Sequence, residues 1–216
     1  MIRVKICGVT TVQDAEFALE AGADALGLNF VPGTPRCLEV EQGREIAEAL
    51  PPFGTRVGVF VNESPERVLE IAHRVDLDAA QLHGDETPEE CRWLIERGLR
   101  VIRGLRVKGP ETISQIDAFP DCAILLDAYV QGALGGTGET FDWELARQAA
   151  VAKPIILSGG LKPDNVGEAV RSVQPYGVDS SSGVEGAVLA RKDPDRVLGF
   201  IENARTAISE LEEMKR

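Results

Sequence analysis

With 216 residues, 44% hydrophobic and 27% charged, the chain has the composition of a soluble globular protein and is long enough for one full hydrophobic core. A formal charge of −12 argues against nucleic acid or an anionic membrane surface as partners, so any anion site must be built from local donors. Four cysteines without a CxxC pair, no apolar run near the roughly 18 residues of a membrane helix, and an N-terminus too quickly interrupted for a signal peptide predict a reduced, cytoplasmic protein.

Short apolar runs alternate with amphipathic stretches from end to end. The runs predict strands at 4–7, 25–29, 56–61, 79–82, 99–103, 123–127, 155–157 and 176–178. Between and after them, helical periodicity covers 11–21, 40–49, 65–75, 88–97, 110–117, 142–152, 163–173 and 194–214. The punctuation agrees. Thr87-Pro88-Glu89-Glu90 reads as a capping box, Ser64-Pro65 and Asp193-Pro194 as cap-then-proline starts, and Gly22 and Gly98 as helix stops. No linker or low-complexity tract divides the chain. Eight alternating units predict an α/β protein, a single (β/α)8 barrel domain over 1–216, with an open doubly wound sheet as the alternative.

In such a barrel the active site gathers where strands end. Those positions hold Cys7, Asn29 with the Arg36 loop, His83, Arg103 and Asp127. The last two strands end in loops of small residues, Ser158-Gly159-Gly160 and Asp179-Ser180-Ser181-Ser182-Gly183. Glycine and serine allow backbone N–H groups to approach an anion, and a following helix N-terminus adds its dipole, so the pair suits a phosphate. Cys7 reads equally as a reactive thiol or an inert buried one. Asp127, directly after Ile124-Leu125-Leu126, is costly to bury unless paired or used, its alternative being a cap. Arg36 is either a surface cation or the holder of a second negative group on the substrate. The loop at 128–141, with Gly135-Gly136-Thr137-Gly138, suits a lid or a plain surface connection. His73 and His83 are the only histidines, and no cluster suggests a metal.

The motifs KICG (5–8), GLNF (27–30), PR (35–36), VGVF (57–60), QLHG (81–84), LLD (125–127), GGTG-TFDW (135–143), LSGGL-PDNV (157–166) and GVD-SSGVE (177–185) occur in this order. Together the series resembles phosphoribosylanthranilate isomerase of tryptophan biosynthesis, over about residues 3–185. The resemblance implies a (β/α)8 barrel without cofactor or metal. It also implies an Amadori rearrangement of N-(5-phosphoribosyl)anthranilate to 1-(2-carboxyphenylamino)-1-deoxy-D-ribulose 5-phosphate. Carried over by position, Cys7 would be the general base and Asp127 the general acid. Arg36 would hold the anthranilate carboxylate, and His83 and Asp179 would line the substrate pocket. The backbone around Gly159, Gly160, Ser181 and Ser182 would bind the phosphate. The expected partner is a phosphorylated small molecule, with no nucleic acid or membrane, on a monomer or homodimer. Glu139, Lys162 and Ser180 depart from the family's usual Lys, Asn and Val. Two other readings stay open: another sugar-phosphate barrel, either a two-carboxylate isomerase or a metal-dependent epimerase, and an inactive barrel kept as a binding module.

Overall fold

The computed structural model describes residues 1–107, 109–128 and 143–214. Eight strands, β1 (Arg3–Cys7), β2 (Ala25–Asn29), β3 (Thr55–Phe60), β4 (Ala79–Leu82), β5 (Arg100–Val107), β6 (Ala123–Ala128), β7 (Ile155–Ser158) and β8 (Gly177–Ser180), pair in parallel and close into a barrel. Around them lie α1 (Val12–Glu20), α2 (Val40–Ala49), α3 (Pro65–Val75), α4 (Pro88–Ile95), α5 (Pro110–Gln115), α6 (Trp143–Ala152), α7 (Pro163–Val173) and α8 (Pro194–Met214). No described helix is long and apolar enough to cross a membrane.

The helices begin where local chemistry satisfies their free N–H groups. The Thr11 hydroxyl accepts from the Asp14 N–H, and Thr87 and Glu90 exchange the two bonds of a capping box. An Asp193 carboxylate oxygen takes the Arg196 N–H at the start of α8. At Lys162, which has no acceptor in its side chain, the work falls to Asn165, whose carboxamide accepts from the Lys162 N–H.

Strand alternation sorts the residues. Val4, Ile6, Leu26, Leu28, Ile124, Leu126, Ile155 and Leu157 face outward and join the helices in one core. Each such Leu or Ile contributes about 1.5–3 kcal/mol on burial, so this outer layer holds the barrel together. The lumen is more polar: Lys5, Gln81 and Asp179 are all buried. Parallel register places Lys5 opposite Asp179, Cys7 opposite Gly27, and Asp127 opposite Ser158, so each pair shares a face.

Two strand ends differ from the sequence expectation by more than one residue. β5 runs to Val107 rather than 103, paired with β6 as far as Val107 and Ala128. Asp179 and Ser180, expected in a loop, lie inside β8 and are buried. A polar residue stays in a buried strand only with a partner. Asp179 has Lys5, and the Ser180 hydroxyl donates to the Leu161 carbonyl at 2.7 Å. Neither partner is visible from the local sequence. Of the expected lid at 128–141, all but Ala128 lies outside the described residues, Glu139 included.

Candidate active site

One polar chain runs around half of the barrel mouth. It begins at Lys5, whose ammonium donates to Asp179 Oδ1 at 2.8 Å. The other Asp179 oxygen accepts from the Ser158 hydroxyl at 3.0 Å. Ser158 is the register neighbour of Asp127 on β6. Asp127 Oδ2 in turn lies 3.2 Å from His83 Nε2, and His83 Nδ1 lies 3.0 Å from the Gln81 carboxamide nitrogen. With that amide donating, Nδ1 is an acceptor, and Nε2 is left facing the Asp127 carboxylate. Nδ1 of His83 is thus engaged within the protein. Beside it a cavity of about 380 Å³ opens between Asn62, Asp85, Arg106 and Gln115.

Cys7 stands two residues after Lys5, on the same face of β1 and half-buried. A side chain on Gly27 would collide with its sulfur, 2.5 Å from where a Cβ would sit, so β2 needs glycine there. On the opposite arc, a Cβ at Gly104 would fall 2.8 Å from the His83 ring. These two glycines open the lumen on either side of the mouth. Burial pushes the Cys7 thiol up, while the Lys5 and Lys192 cations pull in the other direction. Burial also opposes the charge on Lys5, yet Asp179 and the Cys7 sulfur outweigh it and hold the amine above its ordinary range.

The Lys5–Asp179 pair therefore carries structure as well as field. Lys5→Met alone leaves a buried, uncompensated carboxylate and is expected to cost about 3–5 kcal/mol in denaturant unfolding. The double variant Lys5→Met/Asp179→Leu is expected to recover most of that loss. Because the folded lysine is raised, the pair's contribution is full below the unfolded lysine value of about 10.4 and fades as pH rises beyond it.

The two loops expected to bind phosphate abut each other. Gly159 and Gly160 turn with φ of 88° and 64°, a left-handed path that favours glycine. A Cβ on Gly160 would meet nothing within 4 Å, and no backbone carbonyl of the described chain takes its N–H. Leu161 packs so closely on Gly183 that its carbonyl would clash with any side chain there. Ser181 and Ser182 follow directly from β8, and α7 starts three residues after Gly160. Lys162 is half exposed, 3.9 Å from Asp164.

Arg36 crosses from the β2 side to the end of β8. Its Nε and Nη2 donate to the two oxygens of Glu185 at 2.5 and 2.8 Å. Lys192, almost wholly buried, donates to the same carboxylate at 3.1 Å and to the Ser181 carbonyl at 3.1 Å. Lys5, Glu185 and Lys192 carry no individual reading from the sequence, while Gln81 is placed there only at a strand end and Ser158 only in a small-residue loop. Lys5 carried a usable signal, two places before Cys7 on a strand and so on its face. Lys192 carried none.

Cys7, Arg36, His83, Asp127, Gly159, Gly160, Asp179, Ser181 and Ser182 therefore lie at one end of the barrel, at or just beyond the carboxyl ends of the strands. Arg103, expected with them, is instead a mid-strand residue of β5, buried in an ion pair with Glu86 at 3.1 Å. A family model described as N-(5'phosphoribosyl)anthranilate (PRA) isomerase matches residues 4–203. The curated N-(5'-phosphoribosyl)anthranilate isomerase of Geobacter sulfurreducens is 51% identical over 205 residues, 95% of this chain and 99% of that one. That of Rubrobacter xylanophilus is 49% identical over 207 residues, 95% of this chain and 100% of its own. The crystal structure of phosphoribosyl anthranilate isomerase from Thermotoga maritima superposes with a TM-score of 0.90 at 45% identity, over 95% of this chain and 100% of that one. A phosphoribosyl anthranilate isomerase crystallised with reduced 1-(o-carboxyphenylamino)-1-deoxyribulose 5-phosphate gives 0.84 at 44%, with the same coverage.

Proposed function

The chain belongs to the N-(5'-phosphoribosyl)anthranilate isomerase family, enzymes of tryptophan biosynthesis, and from that premise we propose that its own side chains perform the Amadori rearrangement by acid–base catalysis without a metal. The supporting observation is the mouth itself: a thiol on β1 and a carboxyl on β6 share one end of the barrel, with the glycine–serine loops of β7 and β8 between them.

Asp127 protonates the furanose ring oxygen. The C1′–O bond breaks and the anthranilate nitrogen lone pair forms a protonated Schiff base. The Cys7 thiolate then removes the C2′ proton, and that electron pair flows to C1′ and nitrogen to give an enolamine. Tautomerisation yields the ketone, and exchange with solvent resets both groups. One acid and one base are each worth about 10²–10⁴-fold. Gly159, Gly160, Ser181 and Ser182 hold the phosphate, Arg36 the carboxylate, and Asp179 and His83 border the sugar. Anchoring the two anionic ends fixes the C2′ proton against the thiolate, using binding energy from groups that do not react.

The decisive assay follows the fading fluorescence of phosphoribosylanthranilate with purified protein; an unchanged signal would remove the assignment. For the metal-free reading, EDTA is expected to leave the rate unchanged. Its support is that, among the described residues, no three His, Cys, Asp or Glu side chains converge as metal ligands. Loss of activity restored by a divalent cation would favour the epimerase chemistry instead. A cytoplasmic monomer or homodimer, with no nucleic-acid or membrane partner, fits the acidic charge and the reduced cysteines.

A further inference from the structure

Glu185 occupies only one edge of the Arg36 guanidinium. Nε and Nη2 point to its two oxygens, while Nη1 has no acceptor among the described residues. The second fork, made by Nη1 and the remaining Nη2 hydrogen, therefore faces away from Glu185 and has the geometry for another carboxylate. The stem is fixed too: the Arg36 Cδ rests where a side chain on Gly8 would sit.

Charge counting brings in Lys192. Arg36 and Glu185 alone sum to zero and would offer an anion little attraction. Lys192 shares the same Glu185 oxygen and restores a net charge of +1. The side chains of Lys192 and Glu185 are 1% and 7% exposed, against 19% for Arg36, so the cluster presents its guanidinium outward and is weakly screened by salt. Lys192 also donates to the Ser181 carbonyl, which ties the guanidinium to the glycine–serine loops.

We propose that Glu185, backed by Lys192, is a positioning residue that sets specificity for a substrate carboxylate by presenting the free fork of Arg36 at a fixed distance from the phosphate loops. The proposal rests on the reading of Arg36 as the carboxylate holder.

The test compares N-(5-phosphoribosyl)anthranilate with the aniline analogue that lacks the carboxylate, following the ketose product by chromatography. Glu185→Gln is expected to raise KM for the anthranilate substrate about 10-fold or more even though the cluster's charge rises to +2, because the loosened fork forfeits a charge-assisted hydrogen bond to the carboxylate. It should change kcat little and leave KM for the aniline analogue within about 2-fold, because that compound has no carboxylate to place on a guanidinium. Equal losses on both compounds would reduce Glu185 to a structural prop and overturn the proposal. Arg36→Met separates the two levels. If it fails to discriminate between the compounds, the carboxylate reading of Arg36 falls. If it discriminates and Glu185→Gln does not, only the positioning role falls. Should Glu185→Gln not fold, the charge-balanced Glu185→Gln/Lys192→Met carries the same comparison: a KM loss confined to the anthranilate substrate supports the positioning role, and equal losses overturn it.

Discussion

Asp127→Asn is expected to lower kcat by about 10²–10⁴-fold, the range for loss of a general acid, with little change in KM or in unfolding midpoint. The amide keeps the volume and the position beside His83 Nε2, which lies 3.2 Å from the carboxylate. It has no acidic proton to give the ring oxygen. The side chain is 30% exposed and belongs to the polar mouth rather than the outer core, so its loss leaves packing intact. KM should hold because, in the proposed function, Arg36 and the glycine–serine loops rather than Asp127 hold the anionic ends of the substrate. Near wild-type turnover in a folded Asp127→Asn protein would remove this residue from the mechanism. A parallel drop in stability would point to a merely structural carboxylate.

Cys7→Ser should cost a similar factor and also change the pH profile. A base works only when deprotonated, and burial raises the Cys7 thiol in the substrate-free protein despite Lys5 and Lys192. The profile of kcat/KM, which reports the free enzyme, should therefore carry one limb set by this thiol, above the ordinary thiol range, beside the limb set by the general acid. Serine at this position cannot ionise in that window, so the variant should lose this limb along with its rate. A serine variant that keeps the thiol's limb would show that some other group takes the C2′ proton. Circular dichroism and thermal unfolding of the serine variant should match the parent, since an oxygen for a sulfur leaves the register of Cys7 against Gly27 unchanged.

Much of the architecture was present in short stretches of residues. The capping box at Thr87 and the proline-started helices are local devices, formed by residues three or four apart. Strand alternation is local too, which is why the apolar outward faces of β1, β2, β6 and β7 could be read directly. Once parallel closure was inferred, the strand-end rule brought Cys7, Arg36, His83 and Asp127 together without any contact being known. The end of β8 escaped this logic. Gly, Asp and Ser resemble a loop in isolation, and only their partners make them a strand.

What the amino-acid sequence determined by itself was the eight-fold alternation, the helix starts, and which reactive side chains would share a mouth, because each depends on spacing along the chain. Tertiary structure alone decided how buried charges are matched. Lys5 meets Asp179 across 174 residues, and Arg36 meets Glu185 across 149. It also decided that Gly27 and Gly104 must be empty for a thiol and an imidazole to enter the lumen. The physical reason is closure: a buried charge takes whichever opposite charge the ring brings within about 3 Å, and no local pattern encodes which strand that will be.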